Sequence, residues 1–213
     1  MLLHIDKLLE IASPSLIVNV PEAAQNLVET KSIIPQELLN LLRRRNGFFA
    51  FEKALHVFGL GDASDATGYD LVSWNCRDLW RGLYGDHVTD FLFFAEDIFG
   101  CQFALFDGQV LKFNPETGTS TNMASNLNEW AGIILANYRI ETGWPLAHEW
   151  QAINGALPSM KRLLPKTLFV LGGKFECSNL YAGDAVEGMR FRADIAQQIR
   201  NLPDGAKIRV RTV

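Results

Sequence analysis

The chain has 213 residues, 48% of them hydrophobic and 21% charged, with a formal net charge of -4, a balance that excludes a disordered or collagen-like protein. No apolar run approaches the roughly 18 residues of a membrane span, and the first ten residues carry Asp6 and Glu10 without a cleavage-site pattern, which argues against a signal peptide. Three widely spaced cysteines, Cys76, Cys101 and Cys177, with no Cys-x-x-Cys, imply neither a zinc framework nor a disulfide scaffold, so a reduced, cytoplasmic protein without a cofactor is expected.

Helices come first. Leu2, Ile5, Leu8 and Leu9 recur at helical spacing until Ser13-Pro14. Pro21 suits the first position of a second helix, and a third runs from Pro35 through Leu38, Leu39, Leu41 and Leu42 to Asn46-Gly47. Short strands follow at Phe48–Phe51 and Leu55–Phe58, then an exposed loop, GLGDASDATG. Ser73 is expected to open a helix carrying Trp74, Arg77, Leu79, Trp80 and Leu83. A dense strand region spans Phe91–Phe113, with Asp107-Gly108 as a two-residue hairpin turn between CQFALF and QVLKF. After the PETG turn, Ser125 is read as the cap of a helix whose apolar face is Leu127, Trp130, Ala131, Ile134, Leu135 and Tyr138. Trp144-Pro145 starts another to about Asn154, Thr167–Leu171 reads as a strand ending at Gly172-Gly173, Asp194–Arg200 as a helix, and KIRVRTV as an alternating strand. The class is α+β: an antiparallel sheet bracketed by helices, followed by a C-terminal α/β extension.

Charge divides the chain. Residues 1–150 hold 10 basic and 19 acidic side chains, a net of -9, whereas residues 151–213 hold 10 and 5, a net of +5. Within residues 46–150 the imbalance is 5 basic to 14 acidic, a field that repels nucleic acid and attracts basic partners. Asp62, Asp65 and Asp70 lack the ligand spacing of an EF-hand, the histidines are scattered, and His148-Glu149 is followed by Ala152, not by a second zinc ligand. No Gly-x-Ser-x-Gly is present. Glu96-Asp97, embedded in LFFAEDIFG, is either a buried acid with a raised pKa, suited to general-acid work, or a strand end turning into solvent; the second needs fewer assumptions. No catalytic or metal residues are assigned.

From Pro35 to Tyr138 the order of motifs is PQELL, Asn46-Gly47, FFAEDIFGCQFALFD, PETG and NLNEWAGIIL. This order resembles the SUKH superfamily, the Smi/Knr-like immunity proteins. Two positions depart from that pattern: no second glycine follows Asn46-Gly47, and Gly100-Cys101 stands where Gly-Asp is common. The resemblance implies a SUKH-like domain over residues 1–140; residues 141–213 extend past the matched motifs and are expected to pack on the same core, because TLFVL and IRVRTV need a partner surface to bury. The resemblance also implies a bacterial, cytoplasmic, non-catalytic protein that binds and blocks a polymorphic toxin, possibly a nuclease. The expected partner is a basic protein, the cognate toxin, with no membrane and no nucleic acid. Asp62, Asp65, Asp70, Glu96 and Asp97 are the candidate contact residues. The alternatives are a regulatory or scaffold protein of the same fold, and an enzyme or nucleic-acid binder working through Arg190, Arg192, Lys207, Arg209 and Arg211.

Overall fold

A computed structural model describes residues 3–18, 34–61, 68–200, 202 and 206. The helix read from Pro21 and the strand read over 207–213 lie outside them. In chain order come α1 (His4–Glu10), α2 (Gln36–Arg44), β1 (Phe48–Ala50), β2 (Leu55–Val57), the single turn α3 (Leu71–Trp74) and 3-10 turns at Arg81–Tyr84 and Asp86–Val88. Strands β3 (Leu92–Asp97), β4 (Gln102–Phe106), β5 (Gln109–Asn114) and β6 (Thr119–Ala124) follow, then α4 (Leu127–Glu141), α5 (Trp144–Asn154), β7 (Lys161–Pro165), β8 (Leu180–Asp184) and α6 (Ala185–Ile199).

Strands β1 to β6 form an antiparallel meander in sequence order, and β7 and β8 form a separate antiparallel ribbon. The protein is therefore α+β. All six residues of β3 are buried, because helices cover both faces of the sheet; a strand hidden on both sides reads as an apolar run, not an alternation. On one face Phe94 and Phe103 meet Trp130 of α4 at ring-centroid distances of 5.0 and 5.6 Å. On the other, Phe93 packs against Trp80 at 5.0 Å and Phe113 at 5.5 Å, and Tyr84 closes on Phe113 at 5.0 Å. Phe93 and Phe94, adjacent in β3, serve opposite layers by the ordinary alternation of a strand, and the register with β4 shifts between Phe93 and Ala95, the mark of a bulge.

The hairpin at Asp107-Gly108 forms as expected, with φ of 47° and 73° and Phe106 paired to Gln109; both central residues must adopt positive φ in such a turn. A tighter feature closes the β1–β2 hairpin. Phe51, Glu52 and Lys53 have φ of 52°, 54° and 67°, three consecutive side-chain-bearing residues in the left-handed region. Tertiary contacts hold them there: Phe51 stacks on Tyr138 at 4.9 Å, Gln151 Nε2 donates to the Glu52 carbonyl at 2.9 Å, and Lys53 Nζ donates to the Leu157 carbonyl at 2.7 Å.

Several local readings change. Asp70, not Ser73, opens α3, accepting the amides of Val72 and Ser73 at 3.2 and 3.0 Å; α3 lasts one turn, and Leu79–Leu83 lies in a turn and a 3-10 segment. Asn126, not Ser125, caps α4, accepting Glu129 N–H at 2.8 Å. Thr167–Leu171 is no strand: Phe169–Leu171 is a 3-10 turn. The ribbon strands flank it, and α6 begins nine residues before Asp194, its Val186, Met189, Ala193 and Ala196 packing into the core beneath the meander.

Candidate functional site

Register places His56, Glu96 and Gln102 in one row across β2, β3 and β4, and β7 delivers Arg162 to the same point. Arg162 Nη2 lies 2.5 Å from Glu96 Oε1 and donates to His56 Nδ1 at 2.8 Å. Gln102 Nε2 donates to Glu96 Oε2 at 3.2 Å and to the Gly100 carbonyl at 2.9 Å, and its oxygen accepts the Trp74 indole N–H at 2.8 Å. Glu96 is 2% exposed. Burial pushes its carboxyl upward, but the Arg162 guanidinium and the His56 contact outweigh that and hold it down at about 2. Burial pushes His56 down to about 4, with the Arg162 charge adding to the effect and the Glu96 bond opposing it. His56 is thus neutral, its Nδ1 lying between Arg162 Nη2 at 2.8 Å and Glu96 Oε1 at 3.2 Å. Among the described residues, His56 Nε2 and Arg162 Nε find no hydrogen-bond partner.

Asp97 turns the other way. It is 3% exposed and accepts the amides of Phe99 and Cys101, each at 2.9 Å, which shapes the β3–β4 turn around Gly100 (φ +79°). Burial raises its carboxyl to about 6, with Lys112, the two backbone donors and Arg192 opposing the rise. Burial also drives the Cys101 thiol upward. Arg192 of α6 seals this turn, donating from Nη1 to the Phe99 carbonyl at 2.6 Å and from Nε to the Gly188 carbonyl at 2.9 Å.

These positions correct the expected interface. Glu96 and Asp97 are buried beneath the surface and engaged with Arg162 and with backbone amides, so neither can meet a partner, and β3 does not end in solvent. Asp70 is spent on capping α3. Asp62 and Asp65 lie outside the described residues, as do Lys207, Arg209 and Arg211. Arg192, buried on backbone carbonyls, cannot read a phosphate. Among the described residues no three His, Cys, Asp or Glu side chains gather as metal ligands, and no helix is long and apolar enough to cross a membrane.

The surface feature that stands out is the loop over 166–179, which bridges β7 and β8. Its ends are pinched together: Lys166 N–H donates to the Asn179 carbonyl at 2.7 Å, and Asn179 exchanges side-chain bonds with both backbone groups of Thr167 at 2.9 Å. Such compact loops, closed at the neck and packed by their own side chains, are frequently functional. Gly173 is obligatory, since a Cβ there would sit 1.9 Å from the Thr167 carbonyl. Phe169 and Phe175 stack face to face at 3.8 Å, Phe99 meets both edge-on, and Phe175 is 65% exposed. Glu116 fixes the loop from below, its Oε2 accepting Val170 N–H at 2.7 Å. On one side of the loop lies a hollow of about 190 Å³ between the phenylalanines and Glu116. On the other, a hollow of about 360 Å³ is walled by Leu164, Leu168, Tyr181 and Phe191, with Asp184 and Glu187 at its rim.

Comparison places the fold beside a known one. The chain resembles the crystal structure of Atu4351 from Agrobacterium tumefaciens with a TM-score of 0.55 and 14% identity, over 87% of this chain and 86% of that one. At that identity the likeness is one of fold alone. No family model matches the chain, and no curated protein matches it.

The loop escaped sequence reading because TLFVL looks like any apolar strand. The usable signal was Gly172-Gly173 followed by Phe175 and then Ser178-Asn179: glycine punctuation with two aromatics six apart and no alternation.

Proposed function

We propose that this protein is a non-catalytic protein-binding module, an immunity protein that neutralises a bacterial toxin, and that its contact surface centres on the 166–179 loop. The observation that carries the reading is the exposure of Phe175, stacked on the partly buried Phe169 in a loop closed at its neck, beside half-exposed Tyr181 and Phe191. Aromatic side chains held in place lose little entropy on docking and dominate the binding energy of protein interfaces. The motif order over residues 35–138 supports the family reading, and the exposed carboxylates Asp78, Asp86, Asp90, Asp107, Glu129 and Glu149 favour a basic partner such as a nuclease. Those charges steer encounter, while the loop supplies the anchor.

The test is co-expression with the product of a neighbouring toxin-like gene, followed by binding kinetics. The reading expects a stable complex, protection of the host, an association rate that falls with salt, and loss of the complex on Phe175→Ala. Absence of both complex and protection overturns it.

A further inference from the structure

We propose that the two hollows flanking the loop seat Lys or Arg side chains of a basic protein partner. One pairs the Phe99, Phe169 and Phe175 rings with the Glu116 carboxylate, and the other pairs Tyr181 and Phe191 with Asp184 and Glu187. The proposal rests on the protein-binding reading above and names the chemistry of the partner's anchor residues.

Size comes first. The smaller hollow, at about 190 Å³, falls below the roughly 300–1,000 Å³ of small-molecule sites, and the larger, at about 360 Å³, sits at its lower limit. Each suits a single long side chain better than a cofactor. Their linings repeat one pattern, aromatic rings together with a carboxylate. Aromatic faces attract cations through the ring quadrupole, and a long basic side chain buries its aliphatic stem along apolar surface while its head reaches an anion. In the smaller hollow the phenylalanine cluster supplies the apolar length and Glu116, buried to 4% exposure, supplies the charge. Its Oε2 is committed to the Val170 amide, which fixes the carboxylate in place.

Charge around the rims agrees. Glu187 is met by Arg190 at 3.3 Å and Asp184 by Lys161 at 3.7 Å, exposed pairs that hold weakly; Asp184 Oδ1 also caps α6, accepting the amides of Val186 and Glu187 at 3.0 and 3.1 Å, so Glu187 is the carboxylate of the larger hollow that an incoming cation can take. Arg192 borders both hollows, but its guanidinium is directed to the Phe99 and Gly188 carbonyls and the Met189 sulfur. Arg190 donates to the Leu79 carbonyl at 2.7 Å. The Arg192 guanidinium is thus spent inside the protein, while Glu116 lines the smaller hollow and Glu187 the larger.

The experiment is a two-dimensional amide NMR titration of the full chain with three probes: N-acetyl-arginine amide, N-acetyl-lysine amide and the neutral isostere N-acetyl-citrulline amide. The expected result is saturable shifts at Val170, Phe175 and Phe191 with both cations and an affinity about two- to five-fold weaker for citrulline amide, the range of an exposed cation–π contact. Glu116→Gln keeps an acceptor for the Val170 amide and should weaken arginine amide at the smaller hollow by a similar factor; Glu187→Gln should do so at the larger. Equal responses to arginine and citrulline, or shifts confined to other surfaces, overturn the assignment, and so does displacement of the loop signals by a short DNA duplex. A toxin complex indifferent to Phe175→Ala and Glu116→Gln overturns the assignment yet leaves an immunity role standing. Saturation by arginine amide in a chain that protects against no toxin upholds the hollows and removes that role.

Discussion

Glu96 and Asp97 are neighbours in one strand, equally buried, and driven in opposite directions. Glu96 faces a guanidinium 2.5 Å away and stays ionised down to about 2. Asp97 has two backbone amides and more distant cations, and it climbs to about 6. The difference teaches that dipoles orient a buried carboxylate, whereas a full countercharge in contact is what keeps it charged. Both centres also tie the last third of the chain to the meander, through Arg162 of β7 and Arg192 of α6.

Cutting the chain after Ile140 removes both arginines together with Val186, Met189, Ala193 and Ala196 of the core. We expect an insoluble product or one less stable by several kcal/mol, since each fully buried large side chain contributes roughly 1.5–3 kcal/mol; a soluble fragment melting at the parental temperature would show that neither centre binds the two parts. Within the first centre, Arg162→Met leaves Glu96 buried and uncompensated and should cost about 3–5 kcal/mol in urea unfolding. Adding Glu96→Gln should return most of that loss. If it does not, the contrast between the two carboxylates is one of packing and not of charge.

Acid titration separates the centres by sign. Asp97, raised from 3.8 to about 6, binds its proton more tightly folded than unfolded, so its contribution grows as pH falls from 6 to 4. His56, lowered from 6.5 to about 4, binds it less tightly folded, so stability drains away over nearly the same window. The two slopes oppose, and the wild-type stability should be nearly flat between pH 6 and 4. Below about 4.5 the Glu96 contribution is lost as pH approaches 2. Asp97→Asn keeps an acceptor for the two amides and should expose the His56 slope, a fall of up to about 1.4 kcal/mol per pH unit; denaturation series across that window read it directly.

The smallest effect concerns the turn that serves Asp97. Gly100 and Gly108 both have positive φ, but a Cβ at Gly100 would lie 2.7 Å from Arg192 Nη2 while one at Gly108 meets nothing within 4 Å. Gly108→Ala therefore reports backbone cost alone, about 1–2 kcal/mol. Gly100→Ala should cost about 1–2 kcal/mol more, because Arg192 must leave the Phe99 carbonyl. Equal melting of the two variants would remove Arg192 from the second centre.

The meander was largely legible. Asp107-Gly108, the PETG turn and the helix around Trp130 each follow from local chemistry, because turn residues and a 3.6-residue apolar period act within a few positions. The polar centres were not, since Arg162 reaches Glu96 across 66 residues and nothing near either residue announces the other. The same holds for β6: its TSTNMA is exposed over most of its length, so no apolar alternation marks a strand that, among the described residues, pairs with β5 alone. The ribbon strands failed for a different reason, as Leu164-Pro165 and Gly183 punctuate sequence that pairing with each other nonetheless makes extended.

The left-handed turn at Phe51–Lys53 has a consequence for the order of assembly. Such backbone costs about 1–2 kcal/mol per residue, and what holds it in place comes from Tyr138, Gln151 and Leu157, about 100 positions downstream. At ribosomal rates of roughly 5–20 residues per second, those partners emerge some 5–20 s after the hairpin itself. During synthesis Phe48, Phe49, Leu55 and Val57 must therefore wait, uncovered, for a clasp that has not yet been translated. The first strands of the sheet to be made are thus locked long after they can pair, which leaves their apolar residues open to chaperones over that interval.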